Sequence, residues 1–435
     1  MMNDSPAEWS PRLKVFWALV GGPICLLWGL ALVVRLSPPY RHLHDFVQEW
    51  TSARNFFVGQ PIYLRLSESI PQHLGSNYQA HVIDVNAHPP ASVLLTLPFA
   101  KLDYGSAYLA WNLLSLLMLA LSLWLIMRPQ GLRYSPWSIV PILVLILTSN
   151  SLAQQVNQGQ LNLVLLLLLT LAWSAGRSNL LLLSGALIGA AAAIKLFPAF
   201  LGLYFLCRRQ WQGVIGMGLA FVGLNVLTGA ILGWGVFAAY FVDVVPQVGQ
   251  FRDFWPNASI AGFWSKLFDS RSGHAIPLWQ NALLASSGTI LCCLLVTGAV
   301  AWKCWWAKGR AASDHAFALC VIAMLLVSPI TWDHYFLLLV LPFAVLWRVL
   351  PATTFNRIAL VAAIITLGVI NPKWIWDATI PGDGELAWGE DVVVSVATPL
   401  QTLTVVSYQL YALLTLFVLG LVTKSLPSDR KVTDD

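Results

Sequence analysis

Apolar runs about as long as a bilayer is thick recur along the whole chain and constrain its fold more than any other feature. Only 10% of the 435 residues are charged, whereas 57% are hydrophobic. A soluble protein carries roughly 25% charged residues, which it needs to build a polar surface. A spanning helix takes about 20 mostly apolar residues. Because backbone groups in lipid must be satisfied internally, we expect an integral membrane protein with several spanning helices.

Twelve apolar segments are predicted to span the membrane within a single all-α domain that covers residues 1–435. The region 179–207 is either two short helices or one bent helix broken near Pro198. The first segment follows basic residues, as a signal peptide does, but it continues to about Val34 without a clear cleavage site, so we expect it to be retained. The twelve segments are 13–34, 105–127, 137–150, 160–175, 179–194, 196–207, 211–233, 281–302, 314–328, 333–350, 355–371 and 400–423.

The charges predict which side of the membrane each loop faces. With the N-terminus inside, the inner segments hold fifteen basic and six acidic residues, and the outer segments hold ten basic and fourteen acidic residues. This positive-inside asymmetry predicts a multi-pass protein of the cytoplasmic membrane with both termini in the cytoplasm. The long loops, expected to carry short interfacial helices and a functional site, then lie outside. They are 35–104, 234–280 and 372–399, of which the last is acidic and matches no motif.

Two other functional classes are not expected. The net charge of +5 is not concentrated in basic stretches with interleaved aromatic residues, so we expect no nucleic-acid partner. The six cysteines lie in or beside apolar runs and lack the spacing of C-x-x-C or metal-ligand motifs, so we interpret them as small apolar residues. The partner that the composition does imply is the lipid bilayer.

Polar residues from distant parts of the chain gather at the predicted outer face. Together, Asp45, His88, Lys195, Arg252 and His334 offer one base and several cations. Such a set suits the displacement of a phosphate leaving group by a hydroxyl, because a carboxylate takes the hydroxyl proton while fixed cations stabilise the departing phosphate. Lys195 in particular lies in an apolar run, where a lysine costs roughly 2.5–3.5 kcal/mol at a helix centre and less near its end.

Each of these residues also has a structural interpretation. Asp45 is a suitable N-cap for the helix expected after it. Lys195 is placed so that it can snorkel to the outer interface. His334 follows an aspartate and is suited to an interfacial pair. Three amides between the third and fourth segments are equally suited to satisfying backbone groups in a tight loop; they are Gln158, Gln160 and Asn162.

Six stretches of the chain, in this order and spacing, resemble the polyprenol-phosphate-sugar-dependent glycosyltransferases of the GT-C class, most closely glycosyltransferase family 87. The resemblance implies a GT-C-like helical bundle. The family commonly has an aromatic residue before the proline pair, where this chain has His88. The stretches are HDFVQEWTSARNFFVGQPIY (44–63), NAHPPASVLLTLPFAKL (86–102), NQGQLNLVLLLLL (157–169), SGALIGAAAAIKLFPAFLGLYFL (184–206), NASIAGFWSKLF (257–268) and LVSPITWDHYFLLLVLPF (326–343).

The resemblance also implies roles for individual residues. Asp45 maps onto the family's early-loop aspartate and would be the general base, at the interface where a lipid-linked donor presents its sugar. Lys195 of the K-x-x-P segment and His334 after S-P-x-x-W would bind the donor phosphate, and we expect Arg252 to join them. One direct displacement implies inversion, with no metal or other cofactor. The expected substrate contacts are His44, His88, Gln158, Gln160, Asn162, Asn257 and Trp332.

Several hypotheses about function remain open at this point. The first is transfer of mannose, or another hexose, from a polyprenyl phosphate to a glycolipid, glycan or protein acceptor, with arabinofuranose as the alternative sugar. The second is a transporter or flippase for a lipid-linked sugar. Transporters tend to place ionisable residues near the midplane and to show repeated halves, neither of which is evident here. The third is a non-catalytic assembly subunit, in which Asp45→Asn would be tolerated.

Overall fold

The computed structural model describes a chain that is helical almost throughout. Its described residues contain no β-strand, and one isolated parallel bridge joins Ala275 to Ala397. The all-α fold expected from the sequence is therefore confirmed. His44 and the central part of the acidic loop, 381–394, lie outside the described residues. Those residues are 10–36, 45–76, 84–128, 135–380 and 395–423.

The helices of the described residues are numbered here in chain order. The α-helices are α1 Pro11–Phe16, α2 Gly22–Arg35, α3 Phe46–Phe57, α4 Leu66–Leu74, α5 Pro90–Thr96, α6 Tyr104–Met127, α7 Pro136–Leu147, α8 Asn150–Gln158, α9 Asn162–Arg177, α10 Leu181–Ile194, α11 Gly202–Cys207, α12 Trp211–Leu232, α13 Gly235–Ala239, α14 Val245–Gly249, α15 Ile260–Phe268, α16 Ala282–Trp305, α17 Arg310–Val327, α18 Val340–Val349, α19 Thr354–Ile364, α20 Pro372–Thr379, α21 Pro399–Leu403 and α22 Tyr408–Val422. The 3₁₀ helices are Leu97–Lys101, Phe197–Leu201 and Asp333–Leu339, and the π-helical segments are Trp17–Gly21, Tyr240–Val244 and Ile365–Val369.

Every one of the twelve predicted apolar segments is helical, and the chain is a multi-pass membrane protein. Two helix pairs qualify as spans only when each bent pair is taken together: α7 bends by 58° into α8, and the helix Thr354–Val369 bends by 83° into α20. This gives six spans, or eight with the bent pairs, in the described part of the chain, so the number twelve stays a prediction. The six are Pro11–Arg35, Tyr104–Met127, Trp211–Leu232, Ala282–Trp306, Arg310–Val327 and Pro399–Val422.

Helix α17 forms the centre of the bundle. Its residues 314–326 are all buried, and it packs against α16, α18 and α22. A helix whose sides are nearly all apolar packs in the interior of a protein and not at its surface. By contrast, α2 and α16 expose large side chains such as Leu27 and Leu294, as expected of helices that face lipid.

Helix α10 packs closely on α12 in the region 179–207, where the sequence allowed either one bent helix or two short ones. A Cβ atom added at Gly185 would lie 1.9 Å from the carbonyl oxygen of Gly213, so only glycine permits this approach. Helix α10 ends at Ile194, and the chain turns at Lys195 before the next 3₁₀ helix begins at Phe197. The interpretation as separate short helices is confirmed, and the turn leaves Lys195 at a helix end.

Candidate active site

The turn between α8 and α9 brings an amide to the start of α3. Gly159 ends α8 in the left-handed conformation, with φ of 61°. Its carbonyl oxygen accepts a 2.8 Å hydrogen bond from Trp111 Nε1. A Cβ atom on this residue would lie 2.6 Å from the Cβ of Phe46, the first residue of α3. Both the backbone conformation and the contact therefore require glycine, and the next residue, Gln160, is held beside Asp45.

The side chain of Gln160 bridges the predicted base and the predicted cation. Its Nε2 donates a hydrogen bond to Asp45 Oδ2, and its Oε1 accepts one of 2.9 Å from Lys195 Nζ. Lys195 Nζ also lies 3.5 Å from Asn162 Oδ1 and 4.5 Å from the centroid of the Tyr335 ring. Because Lys195 is only 4% exposed, these contacts replace water as its solvation.

These contacts decide between the alternatives for Asp45 and Lys195. Asp45 occupies the N-cap position of α3, but its side chain makes no capping hydrogen bond, so the capping interpretation is wrong. Its Oδ1 instead accepts a hydrogen bond of 3.3 Å from Gln48 Nε2. The snorkelling interpretation is also wrong, because the Lys195 ammonium group is buried within the protein. The loop-stabilising role falls to Gln155, which donates to the carbonyl oxygen of Gln160.

His334 is buried, and its Nε2 has no hydrogen-bond partner in the described part of the chain. The residue is 3% exposed, and the only polar neighbour of its Nδ1 among the described residues is the carboxylate of Asp333. Nδ1 lies 3.4 Å from Asp333 Oδ1. That carboxylate accepts hydrogen bonds from the His334 backbone N–H, at 2.8 Å, and from Asn150 Nδ2, at 2.7 Å. Since buried polar groups in native proteins are normally paired, the imidazole is suited to a substrate group.

The K-x-x-P segment and the segment after S-P-x-x-W pack together through aromatic rings. The rings of Phe197 and Tyr335 stack with their centroids 5.2 Å apart. The centroid of the His334 ring lies 5.0 Å from that of the Tyr335 ring, and the ammonium group of Lys195 lies over the same tyrosine ring. The structure thus brings Lys195 and His334, which are far apart in sequence, into contact with the same tyrosine ring.

A second buried carboxylate, which the sequence analysis missed, lies one helical turn after Asp45. Glu49 is 2% exposed, and its Oε1 lies 2.6 Å from His88 Nδ1. Ser92 Oγ donates to the same carboxylate at 3.0 Å. The arrangement leaves His88 Nε2 without a hydrogen-bond partner among the described residues. Gln48 links this pair to the Asp45 network, because its Oε1 accepts a 3.1 Å hydrogen bond from the backbone N–H of Ala87 and its Nε2 donates to Asp45. The i, i+4 spacing of the two acids was the signal available in the sequence.

Asn257 holds two loops together instead of facing the network. Its Nδ2 donates to the carbonyl oxygens of Arg252, at 2.7 Å, and Pro329, at 3.0 Å. Its Oδ1 accepts hydrogen bonds from the backbone N–H groups of Thr331, at 2.9 Å, and Ser259, at 3.1 Å. Every hydrogen-bonding position of this amide is used by the main chain. We therefore assign Asn257 to positioning the segment that leads to His334, in place of the substrate contact expected from the sequence.

Three other predicted residues are not joined to the Asp45 network by any described contact. Gln158 is half-buried, with an unpartnered carbonyl oxygen. Trp332 packs on the rings of Phe251 and Phe254. Arg252 is exposed and lines a separate cavity of about 270 Å³ to which no network residue contributes. No described contact joins Arg252 to Lys195 or His334, and Asn257 ties the Arg252 loop to the segment that precedes His334.

The described residues were also compared with the side-chain groups that bind metal ions in proteins. No group of three or more histidine, cysteine, aspartate or glutamate residues that could hold a metal ion occurs among the residues the structure describes.

Comparison with known proteins decides the family. Residues 86–329, more than half of the chain, match the family model of glycosyltransferase family 87. This chain belongs to glycosyltransferase family 87. The resemblance noted in the sequence is thus confirmed, and the protein is a glycosyltransferase. The matched segment includes Gln160 and Lys195, whereas Asp45 and His334 lie outside it.

The protein is also similar to three curated mycobacterial enzymes. A polyprenol-phosphate-mannose-dependent alpha-(1-2)-phosphatidylinositol mannoside mannosyltransferase of Mycobacterium tuberculosis is 27% identical over 446 residues, covering 94% of this chain and 93% of that protein. The enzyme of the same description from Mycolicibacterium smegmatis is 24% identical over 360 residues, 78% of this chain and 76% of its own. A polyprenol-phosphate-mannose-dependent alpha-(1-2)-phosphatidylinositol pentamannoside mannosyltransferase of M. smegmatis is 26% identical over 257 residues, 58% of each chain.

Proposed function

We propose that this glycosyltransferase moves mannose from a polyprenyl phosphate to a glycolipid acceptor, with Asp45 as the general base. The relatives support the donor and acceptor classes, because their descriptions name a polyprenol-phosphate-mannose donor and a phosphatidylinositol mannoside acceptor. The observation that carries the proposal is the chain of hydrogen bonds Asp45–Gln160–Lys195, which lies beside the imidazole of His334 and its unpaired Nε2. It combines a base with cations at one place.

The reaction is a direct displacement at the anomeric carbon. The acceptor hydroxyl oxygen forms the new bond to C1 of the sugar, and the C1–O bond to phosphate breaks with its electron pair leaving on the phosphate. Asp45 takes the hydroxyl proton. Its Oδ2 is engaged by Gln160, while Oδ1 has only the long contact with Gln48, so Oδ1 is the available base atom. A single displacement inverts the anomeric configuration.

The departing phosphate is stabilised by Lys195 and His334, which both contact Tyr335. Lys195 reaches Asp45 only through a neutral amide, so its charge is not cancelled by direct ion pairing and is available to a phosphate oxygen. His334 offers ring N–H donation from a buried position, where a hydrogen bond to an anion is strongest. We assign His88, oriented by Glu49, together with Asn162, to hydroxyl groups of the bound sugar.

We place the active site on the extracytoplasmic face of the cytoplasmic membrane, with both termini in the cytoplasm. The support is the charge asymmetry of the loops, since the inner segments are strongly basic. Asp45 and the Arg252 loop belong to the long loops, which this asymmetry assigns to the outside. A polyprenyl-phosphate donor anchored in the outer leaflet would present its sugar at that interface.

The test is sugar transfer by the purified protein in lipid nanodiscs, supplied with radiolabelled polyprenyl-phosphate mannose and phosphatidylinositol mannoside. We expect Asp45→Asn to lower transfer by about 10²–10⁴-fold, the usual effect of losing a general base. The matched control is Asp243→Asn, which changes an exposed acid whose carboxylate has no described contact.

The outcomes separate the parts of the proposal. Equal transfer by the parent and Asp45→Asn would remove Asp45 as the base. Transfer from polyprenyl-phosphate arabinofuranose but not from the mannose donor would show that the sugar assignment is wrong. Retention of the anomeric configuration in the product would exclude the single displacement. Movement of the intact lipid-linked sugar across the bilayer without transfer would support the transporter hypothesis instead.

A further inference from the structure

A cavity outside the Asp45 network opens between α15 and α16. We call it the lateral cavity; its volume is about 270 Å³. Part of its wall is fixed by tight packing, since a Cβ atom at Gly288 of α16 would lie 2.4 Å from the Trp264 ring of α15. The lining residues are Arg252, Ala261, Ser265, Asp269, Ala285, Ser286, Thr289, Ile290, Val327 and Pro329.

The lateral cavity lies at the end of the bundle that carries the candidate active site. Helix α16 is one of the six spans, and its lining residues belong to its first turns. Pro329 follows the end of α17 and lines the cavity, and its carbonyl oxygen accepts hydrogen bonds from Asn257 and from Ser259 Oγ, at 3.1 Å. The same short segment continues to His334. A molecule in the lateral cavity would therefore touch the segment that places the imidazole.

The chemistry of the wall changes from apolar to polar towards the loop. Ile290 and Val327 supply apolar surface near the membrane. Ser265 lines the cavity, and its hydroxyl makes no hydrogen bond to the described residues, so its donor and acceptor positions are free for a ligand group. At the mouth, the exposed Arg252 guanidinium likewise makes no ion pair with the described part of the chain.

A carboxylate also lies at the polar end of the lateral cavity. Asp269 lines the cavity and accepts hydrogen bonds at one oxygen, Oδ1, from Arg271 Nε at 3.0 Å and from Gln280 Nε2 at 3.3 Å. Its Oδ2 has no described partner. One cation, one carboxylate oxygen and one free hydroxyl above apolar walls match a headgroup that carries both a phosphate and hydroxyl groups, attached to hydrocarbon chains.

We propose that the lateral cavity binds the phosphorylated, polyhydroxylated headgroup of a diacyl phospholipid, and that this lipid is the glycosyl acceptor. Arg252 binds the phosphate, Ser265 and Asp269 bind headgroup hydroxyls, and the acyl chains run along α16. Lys195 and His334 then serve the donor phosphate, whereas Arg252, which was expected from the sequence to join them there, serves the phosphate of the acceptor. The acceptor part rests on the proposed function, whereas binding of the lipid does not.

The first test is equilibrium binding of tritiated phosphatidylinositol to the purified full-length protein in detergent. We expect Arg252→Gln to weaken binding about tenfold, the effect of one charge-assisted contact. Ser286→Trp, which fills the cavity from an exposed position, should weaken it at least as much. Arg65→Gln, an exposed arginine of another loop, is the matched control and should bind as the parent does.

Two competing probes define the ligand. We expect unlabelled phosphatidylinositol to displace the tritiated lipid, and diacylglycerol and glycerophosphoinositol to do so only at much higher concentrations. Equal displacement by diacylglycerol would show that the headgroup is not recognised and would overturn the proposal. Equal displacement by glycerophosphoinositol would show a site for the soluble headgroup and would also overturn it. Unchanged binding by both Arg252→Gln and Ser286→Trp would place the lipid elsewhere.

A second test links binding to transfer. We expect Arg252→Gln to raise KM for the glycolipid acceptor about tenfold while KM for polyprenyl-phosphate mannose stays unchanged. A rise in the donor KM instead would return Arg252 to the donor phosphate and overturn the proposal. A parent protein that binds phosphatidylinositol through Arg252 but transfers no mannose would refute the proposed function and leave the lipid site standing.

Discussion

Gln160 is the residue whose removal best tests how the site is assembled. Its single amide makes two hydrogen bonds to charged groups, one to Asp45 and one to Lys195. The substitution Gln160→Met keeps the length of the side chain and removes both bonds. Asp45 is then left with Gln48 at 3.3 Å and Lys195 with Asn162 at 3.5 Å, both at the long limit of hydrogen bonding.

The size of the effect follows from these contacts. A hydrogen bond to a charged group contributes roughly 1.5–3 kcal/mol net. Because the remaining contacts recover part of the two lost bonds, we expect a loss of about 2–4 kcal/mol of transition-state stabilisation, which is roughly 30- to 1,000-fold in kcat/KM. Most of it should appear in kcat, since Gln160 acts by holding the base and the cation.

The assay is a double-mutant cycle with Asp45→Asn, using radiolabelled mannose transfer in nanodiscs. If Gln160 acts through Asp45, the double variant should be scarcely slower than Asp45→Asn alone, because residues that act as a unit are not additive. Full additivity of the two losses, or parental activity of Gln160→Met, would refute the reasoning. The exposed Gln250→Met is the matched control, and the unfolding temperature of each variant shows whether the fold is intact.

Three further predictions test single features. Glu49→Gln and His88→Ala should each lower mannose transfer about tenfold and be non-additive in the double variant, because Glu49 orients the ring; additive losses would contradict this. Gly159→Ala should lower the unfolding temperature and transfer together, since its Cβ would lie 2.6 Å from Phe46 at a positive φ. Burial lowers the pKa of Lys266 from 10.5 to about 7, partly opposed by a neighbouring carboxylate, so the folded protein binds this proton less tightly than the unfolded chain. Stability should therefore rise with pH from about 7 towards 10, and Lys266→Met should flatten that rise in thermal unfolding scans.

The fold was largely predictable because apolar length is a direct consequence of the bilayer. All twelve predicted segments are helical, since backbone groups in apolar surroundings have few other ways to be satisfied. The bend between α7 and α8 was not predicted, because the polar stretch after the third apolar segment was expected to be a loop, whereas it forms the helix Asn150–Gln158. The tight packing of α10 on α12 depends on which residues face which glycines, and sequence spacing alone does not show that.

The site was predictable where an unusual residue interrupts an apolar run. Lys195 is such a residue, and the structure places it in the polar network. Glu49 was missed because the helix around it is amphipathic, where an acid is unremarkable unless its i, i+4 relation to Asp45 is considered. Asn257 and Arg252 were assigned together with the others because sequence reveals residue type but not which main-chain groups a side chain will meet.

The neutral amide between Asp45 and Lys195 suits the charge movement of the proposed reaction. At the start, the carboxylate and the phosphodiester each carry one negative charge. As the hydroxyl proton moves to Asp45 and the C1–O bond breaks, the negative charge disappears from the carboxylate and a second one develops on the phosphate. A lysine paired directly with Asp45 would stabilise the charge of the reactant and oppose this shift. Held one amide away and next to the buried His334, Lys195 stabilises the phosphate charge that grows, which is the condition for lowering the barrier rather than only binding the donor.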